Sequence, residues 1–189
     1  PPAATLESRR ELERVMTKAL TNMDGELKGD YFPLHGSKSY APKPNGISMA
    51  EEDVLREQHF LFQEPDSTLL LASGMGKQWP DGRGIFHNEK KNFLVWTNEE
   101  DHTRLISMQM GDDIKEVFSR FATGCNAVEK VVKSEGYDFM HSDHLGYILV
   151  CPSNLGTGLR ASVMLKIPKL SARHDFKDIM NGFKLQARG

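Results

Sequence analysis

The chain has 189 residues, 39% of them apolar and 26% charged, and its formal net charge at pH 7 is -2. This length supports one sizeable hydrophobic core, so we expect one domain. The balanced charge gives no basic surface for nucleic acid or for a membrane, and no stretch is long and apolar enough to span a bilayer. The two cysteines, Cys125 and Cys151, lack the spacing of a zinc site and suit a reducing compartment. We therefore expect a cytoplasmic protein with no nucleic-acid, membrane or protein-held metal partner.

The N-terminal part of the chain predicts two helices separated by a loop. Thr5 precedes a run with apolar residues at helical spacing, which ends near residue 24. The polar stretch 35–46 reads as a surface loop. Ser48 and Glu51 then have the spacing of a capping box, which predicts a short helix that ends near residue 58.

An antiparallel meander is predicted next, followed by a long helix. Strand candidates cover residues 84–87, 92–98 and 103–110, and the first two are joined by an NEKK turn. From Ile114 onward apolar residues recur mostly at steps of three and four, which predicts a helix with Cys125 on its buried face. On that face a packing role for Cys125 is favoured over a chemical one.

The C-terminal part predicts two further strands, at 145–152 and 160–168, around the glycine-rich turn SNLGTGL. A short helix is expected around 173–181, and a strand-like segment at 183–189. Helices packed on a largely antiparallel sheet indicate an α+β domain.

Three consecutive acids, Glu99, Glu100 and Asp101, stand out in the segment WTNEEDHTR because like charges repel. A solvated loop is the ordinary explanation for such a run. Here, however, the run connects two apolar strand candidates, and side chains alternate between the two faces of a strand end. Glu100 would then point away from its two neighbours, and a lone carboxylate of this kind could hold a cation.

The segment CPSNLGTGLR, at 151–160, joins the two C-terminal strand candidates through a connection rich in glycine. On its own it favours a plain hairpin, and it lacks the spacing of a P-loop. Arg104, Arg160 and Arg188 are each predicted at a strand end. Each alone is typical of a surface ion pair, but together they could clamp a polyphosphate through bidentate hydrogen bonds. A phosphate clamp beside a lone carboxylate suggests phosphoryl transfer to a cationic acceptor.

Four motifs, WTNEEDH, CPSNLGTGLR, WPDGRGI and LQARG, together resemble the ATP:guanidino phosphotransferases, or phosphagen kinases, which include creatine and arginine kinases. CPSNLGTGLR is similar to the motif of creatine, glycocyamine, taurocyamine and lombricine kinases. The resemblance implies the family's catalytic domain over residues 1–189, an antiparallel β-sheet flanked by helices with a glutamine-synthetase-like fold. It also implies that the family's N-terminal helical domain and its flexible C-terminal loop are absent from this chain.

The resemblance implies catalytic and substrate-binding roles for Glu100 and Cys151. Glu100 corresponds to the carboxylate that holds the guanidinium and accepts its proton, and Cys151 to the reactive cysteine beside the guanidino group. A guanidinium has a pKa above about 12, so it needs a base before it can act as a nucleophile. Ser153 could donate a hydrogen bond that favours the Cys151 thiolate.

The nucleotide contacts implied by the resemblance fall on His59, Arg104, Arg160 and Arg188. The arginines correspond to residues on the nucleotide phosphates and His59 to a histidine beside the adenine. Met164 stands where creatine and arginine kinases usually have a second such histidine. The implied ligands are ATP or ADP, with Mg²⁺ held through the phosphates, and a small guanidino substrate; no metal ligand is expected from the chain, and a homo-oligomer is left open.

Three functions follow from these residues. The first is a kinase that transfers the γ-phosphoryl group of ATP reversibly to a guanidino compound. The second is a truncated, catalytically weak nucleotide-binding or scaffold module of the same fold, which leaves the activity of the isolated chain undetermined. The third is a protein-arginine kinase, which shares this catalytic domain.

Overall fold

A computed structural model describes residues 4–187 of the chain. In chain order it contains α1 (Leu6–Leu20), β1 (Gly29–Pro33), α2 (Met49–Glu57), α3 (Thr68–Ala72), β2 (Gly84–Asn88), β3 (Phe93–Thr97), β4 (Thr103–Ser107), α4 (Ile114–Ser134), β5 (His141–Ser142), β6 (Gly146–Tyr147), α5 (Pro168–Ser171) and α6 (Phe176–Gly182). The chain divides into two compact units, one that ends at Gly158 and one that begins at Leu159. Within residues 4–187 no helix is long and apolar enough to cross a membrane.

The main sheet is a four-stranded antiparallel meander in the order β1-β2-β3-β4. Its last hairpin pairs Thr97 with Thr103 and Trp96 with Arg104. The acidic residues 99–101 therefore lie in the connection between β3 and β4, as the sequence predicts. Antiparallel strands and packed helices confirm the α+β fold.

The principal hydrophobic core lies between the sheet and the two long helices α1 and α4. Met16 and Leu20 of α1 pack there with Phe86 and Phe93 of the sheet. Helix α4 approaches β3 closely at Gly124, where an added Cβ would lie 2.3 Å from the Phe93 ring. Glycine is needed there because no larger residue fits that gap without a shift in the packing.

The WPDGRGI segment leads into β2 and carries a buried arginine, Arg83. The Arg83 side chain is buried, and its Nη2 donates to the carbonyl oxygens of Met75 at 2.6 Å and Lys77 at 3.1 Å. Burial, and then the charge of Arg9, lowers the pKa of Arg83 to about 10. Arg83 thus organises the loop before β2 through backbone carbonyls.

The local sequence signals predict the N-terminal part of the structure correctly. The Thr5 side chain caps α1, and Ser48 with Glu51 forms both hydrogen bonds of the capping box at α2. The strands predicted at 84–87 and 92–98 are confirmed, and the one predicted at 103–110 ends earlier, at Ser107. These elements are set by short-range capping and alternation, which a sequence displays directly.

The strands predicted at 145–152 and 160–168 are wrong. In the first segment only Gly146–Tyr147 forms a strand, a two-residue ladder with His141–Ser142. Residues 160–167 form no regular element, and Val163 and Leu165 are 66% and 65% exposed. Alternation of apolar residues predicts an extended chain, but a strand also needs a hydrogen-bonding partner, which alternation does not supply.

The remaining predictions are confirmed in part. The helix expected at 173–181 corresponds to α6, whereas residues 183–187 form no strand and the rest of that segment lies outside the described residues. Helix α4 buries Val128 and Val132, but Ile114 and Phe118 at its start are 67% and 56% exposed. Helical periodicity therefore identifies the helix but overestimates the length of its buried face.

Candidate active site

The acidic residues lie on a tight turn that Asn98 begins. Asn98 has φ 55°, in the left-handed region, and its N–H donates to the carbonyl oxygen of His102 at 2.9 Å. Asparagine tolerates this conformation better than most residues with a side chain. The segment from Asn98 to His102 is called the acidic turn below.

The guanidinium of Arg104 lies close to all three acids of this turn. Its nitrogen atoms are 3.3 Å from Glu99, 3.6 Å from Glu100 and 3.7 Å from Asp101. The predicted isolation of Glu100 on a separate face is therefore wrong. Strand alternation does not apply here because the left-handed residue at the start of the turn ends the extended conformation.

The charges of this group do not cancel. Three carboxylates face one guanidinium, and their side chains are only 15%, 26% and 8% exposed for Glu99, Glu100 and Asp101. Burial, opposed by Arg104 and a backbone hydrogen bond, raises the pKa of Glu99. Glu99 Oε2 is also buried without a hydrogen bond, since its 3.3 Å ion pair with Arg104 lacks hydrogen-bond geometry. The turn is thus an anionic site with unused acceptor capacity.

Asp101 connects the acidic turn to the segment that carries Cys151. Its Oδ1 accepts a hydrogen bond of 2.8 Å from the Val150 N–H, and the Asp101 side chain is almost fully buried. Because Val150 directly precedes Cys151, this bond brings the thiol-bearing segment to the acidic turn.

Cys151 begins the short 3₁₀ turn Pro152–Asn154, and its Sγ lies 2.9 Å from the Ser153 hydroxyl oxygen. The contact predicted between these two side chains is therefore present. The other cysteine, Cys125, lies on α4, where burial, and then the charge of Glu129, raises its pKa to about 11. Only Cys151 combines a hydroxyl neighbour with proximity to the acidic turn.

Of the predicted nucleotide residues, His59 and Arg104 lie in the first unit and Arg160 lies in the second. His59 is exposed just after α2, and within residues 4–187 no hydrogen bond or ion pair joins its side chain to Arg104. Arg160 and Met164 are exposed residues of the second unit, and Arg188 lies outside the described residues. Among residues 4–187 no group of three or more His, Cys, Asp or Glu side chains is arranged to hold a metal ion.

The sequence patterns do not single out Asn98 and His102 as candidate site residues. Their side chains are joined by a hydrogen bond of 2.9 Å across the acidic turn. The available signal was an asparagine directly after an apolar strand, which is typical of a turn.

Comparison with known proteins identifies the class to which this fold and site belong. Residues 11–189 match the family described as ATP:guanido phosphotransferase, C-terminal catalytic domain. The chain therefore belongs to this family, as its four motifs suggest.

Two creatine kinases can be aligned with this chain over its whole length. It is 50% identical to the flagellar creatine kinase of Strongylocentrotus purpuratus and 49% identical to the M-type creatine kinase of Gallus gallus, over all 189 residues in each case. The chain spans 15% and 47% of those two proteins.

Solved structures of the family share this fold. A lombricine kinase structure superposes with a TM-score of 0.88 at 46% identity and covers 100% of this chain, which spans 49% of that protein. The substrate-free duplicated taurocyamine kinase of Schistosoma mansoni gives a TM-score of 0.84 at 44% identity, again over 100% of this chain and 24% of that one.

Proposed function

We propose that the protein transfers the γ-phosphoryl group of ATP reversibly to a small guanidino compound. The observation that carries this proposal is the acidic turn, which already surrounds a guanidinium group, that of Arg104, with three carboxylates at 3.3–3.7 Å. Membership of the family and relatives named creatine, lombricine and taurocyamine kinases support it.

The charge of the turn suits a cationic acceptor. Three carboxylates against one guanidinium leave a formal excess of two negative charges in a partly buried region. At about 4 Å, a charge pair interacts by roughly 1 kcal/mol in water and about 4 kcal/mol near a protein surface. A guanidino substrate would therefore be attracted to the turn, where Glu100, the most exposed of the three acids, would orient it and accept its proton.

Arg104 would have to change partners during this reaction. It is proposed as a phosphate ligand, yet in this structure its guanidinium faces the acidic turn. The Arg104 side chain is 35% exposed, and a substrate guanidinium that pairs with the three carboxylates would replace the ion pairs that Arg104 gives up to a phosphate. Arg160, Arg188 and His59 remain proposed contacts to the phosphates and the adenine.

The proposed thiol contact completes the guanidino side of the site. The Val150 N–H bond to Asp101 holds the Cys151 segment beside the turn, and the Ser153 hydroxyl at 2.9 Å can donate to a Cys151 thiolate. A thiolate at this position would add a further negative group for the guanidinium. Orientation by several fixed groups is what phosphoryl transfer requires of a protein.

Mg²⁺ is proposed to accompany the nucleotide and to be held through its phosphates, because Mg²⁺ commonly keeps phosphate and water ligands. When bound there, the ion would neutralise phosphate charge. A cytoplasmic location stays a prediction.

The test is a kinase assay on the full-length protein with MgATP and a panel of acceptors. The panel contains creatine, glycocyamine, taurocyamine, lombricine and free arginine, with an arginine-rich protein to detect protein-arginine kinase activity. Phosphorylation of at least one small guanidino compound, lost in Glu100→Gln, supports the proposal. Nucleotide binding without transfer to any acceptor would contradict it and favour a scaffold module, and transfer only to protein would reassign the acceptor.

A further inference from the structure

The buried side chain of Asn98 hydrogen-bonds the acidic turn to two other parts of the protein, helix α1 and the loop before β2. This residue is 2% exposed. Its Nδ2 donates to the carbonyl oxygen of Arg9 in α1 at 2.9 Å and to that of Gly82, in the loop before β2, at 2.6 Å. Its Oδ1 lies 2.9 Å from Nδ1 of His102 at the other end of the turn.

These contacts fix the orientation of the amide and the tautomer of the histidine. Carbonyl oxygens only accept hydrogen bonds, so the NH₂ group of Asn98 must face Arg9 and Gly82. The amide oxygen then faces His102 and can only accept, so the proton of the neutral imidazole lies on Nδ1. Every polar atom of the Asn98 side chain is thereby used.

The neutral form of His102 matters for the charge of the turn. Burial is the main cause that lowers the pKa of His102, to about 4, and the nearby Arg9 charge acts in the same direction. At neutral pH no imidazolium therefore stands beside the three acids, and their excess negative charge remains available to a cationic ligand.

The backbone around the Asn98 side chain is also close-packed. Gly82 has φ +73°, and a Cβ there would lie 3.0 Å from Cβ of Arg9. The loop before β2, helix α1 and the acidic turn thus meet at one point, and the Asn98 side chain is the group that hydrogen-bonds to all three.

We propose that Asn98, with His102, is a positioning residue that holds the acidic turn in the geometry needed to bind a guanidino substrate. The inference rests on the proposed function. It assigns no contact with substrate to Asn98 itself: the residue acts through Glu99, Glu100 and Asp101, whose backbone it anchors at both ends of the turn.

The chain supplies a matched control at the opposite end of the β2–β3 pair. Asn88 is 1% exposed, its Nδ2 donates to the Glu26 carbonyl and to Asn92, and its Oδ1 accepts from two backbone N–H groups. An Asn→Asp change at either site keeps the shape and the acceptor and removes two donors. The two variants therefore lose the same kinds of hydrogen bond, at different distances from the acidic turn in the sheet.

The experiment compares Asn98→Asp, Asn98→Gly and Asn88→Asp in the full-length protein. Glycine keeps the left-handed backbone and removes the anchor, so it also covers the case in which the buried aspartate prevents folding. For both Asn98 variants we expect kcat/KM for the guanidino substrate to fall by about 10- to 100-fold, as for a small misplacement of a catalytic group. The nucleotide Kd should stay within about 2-fold, and Asn88→Asp should keep kcat/KM despite a comparable loss of Tm.

A pH profile gives a readout that a loss of stability alone would not produce. In Asn98→Asp the new carboxylate faces His102 Nδ1 and raises the pKa of the imidazole. Below that pKa an imidazolium would offset the acidic turn, so KM for the guanidino substrate should rise as the pH falls from 8 to 6. Asn88→Asp should follow the pH dependence of the wild type, and Asn98→Asp should show this rise in addition.

Equal losses of kcat/KM in the Asn98 and Asn88 variants, or unchanged values in the Asn98 variants, would overturn the positioning role while the proposed function stands. A wild type that phosphorylates no guanidino compound would overturn both. The two failures are distinguished by the wild-type rate.

Discussion

The two cysteines should react with an alkylating agent at different rates, and the ratio of the rates can be estimated from the environment of Cys125. The thiolate is the reactive form, and burial with the Glu129 charge raises the pKa of Cys125 from an ordinary 9.0 to about 11. At pH 8 this lowers its thiolate content about 100-fold relative to an ordinary thiol. A thiolate of higher pKa is intrinsically more nucleophilic, so each Cys125 thiolate should react about 10-fold faster for a difference of two pKa units.

The net expectation is that iodoacetamide labels Cys151 at least about 10-fold faster than Cys125. The Ser153 hydroxyl, 2.9 Å from Cys151 Sγ, can donate a hydrogen bond to a Cys151 thiolate, which would add to this preference. The assay is labelling at pH 8 with less than one equivalent of reagent, followed by peptide mass mapping. Ser153→Ala should slow the label at Cys151 and leave Cys125 unchanged. Equal or faster labelling of Cys125 would contradict the assignment of Cys151 as the reactive thiol.

Two further predictions concern stability. Gly124→Ala should lower the free energy of unfolding by about 1–3 kcal/mol because its Cβ would meet the Phe93 ring at 2.3 Å. The control Gly182→Ala, with nothing within 4 Å of the new Cβ, should be neutral or slightly stabilising. Urea unfolding measures both variants, and equal effects would contradict the prediction. Because the pKa of His102 is lowered from 6.5 to about 4 in the folded state, the unfolded state takes up the proton first, so stability is complete above pH 6.5 and falls as the pH drops toward 4. Tm measured from pH 4 to 8 should therefore fall less on acidification in His102→Gln than in the wild type, and parallel curves would argue against a buried neutral imidazole.

The sequence predicts the parts of this fold that short-range interactions determine. The capping box of Ser48 and Glu51 and the strands at 84–88 and 93–97 depend on residues a few positions apart. Residues 160–167 show the limit, because their alternating pattern indicates extended chain but cannot supply a partner strand.

In the candidate site, too, the sequence predicts local features and not those that depend on distant parts of the chain. Motifs single out Glu100, Arg104 and Cys151, which the structure places at or beside the turn, but for Arg104 they imply a phosphate contact and not the ion pairs with the acids. They do not predict the left-handed conformation of Asn98, which ends the alternation and brings three acids to one guanidinium. Nor do they predict that Asn98 reaches Gly82 and Arg9, 16 and 89 positions away, since those bonds depend on how α1 and the sheet pack.

In the proposed function the acidic turn recognises a guanidinium, and Glu100 accepts its proton. The most direct measurement compares Glu100→Gln with Glu99→Gln in the full-length protein, for kcat with the preferred guanidino acceptor and for the Kd of the nucleotide. Glu100→Gln keeps the size of the side chain and removes its charge and basicity. We predict that it lowers kcat by about 10²- to 10⁴-fold with little change in nucleotide Kd, and that Glu99→Gln is milder. Equal losses in the two variants, or a loss of nucleotide affinity alone in Glu100→Gln, would contradict this account of the turn.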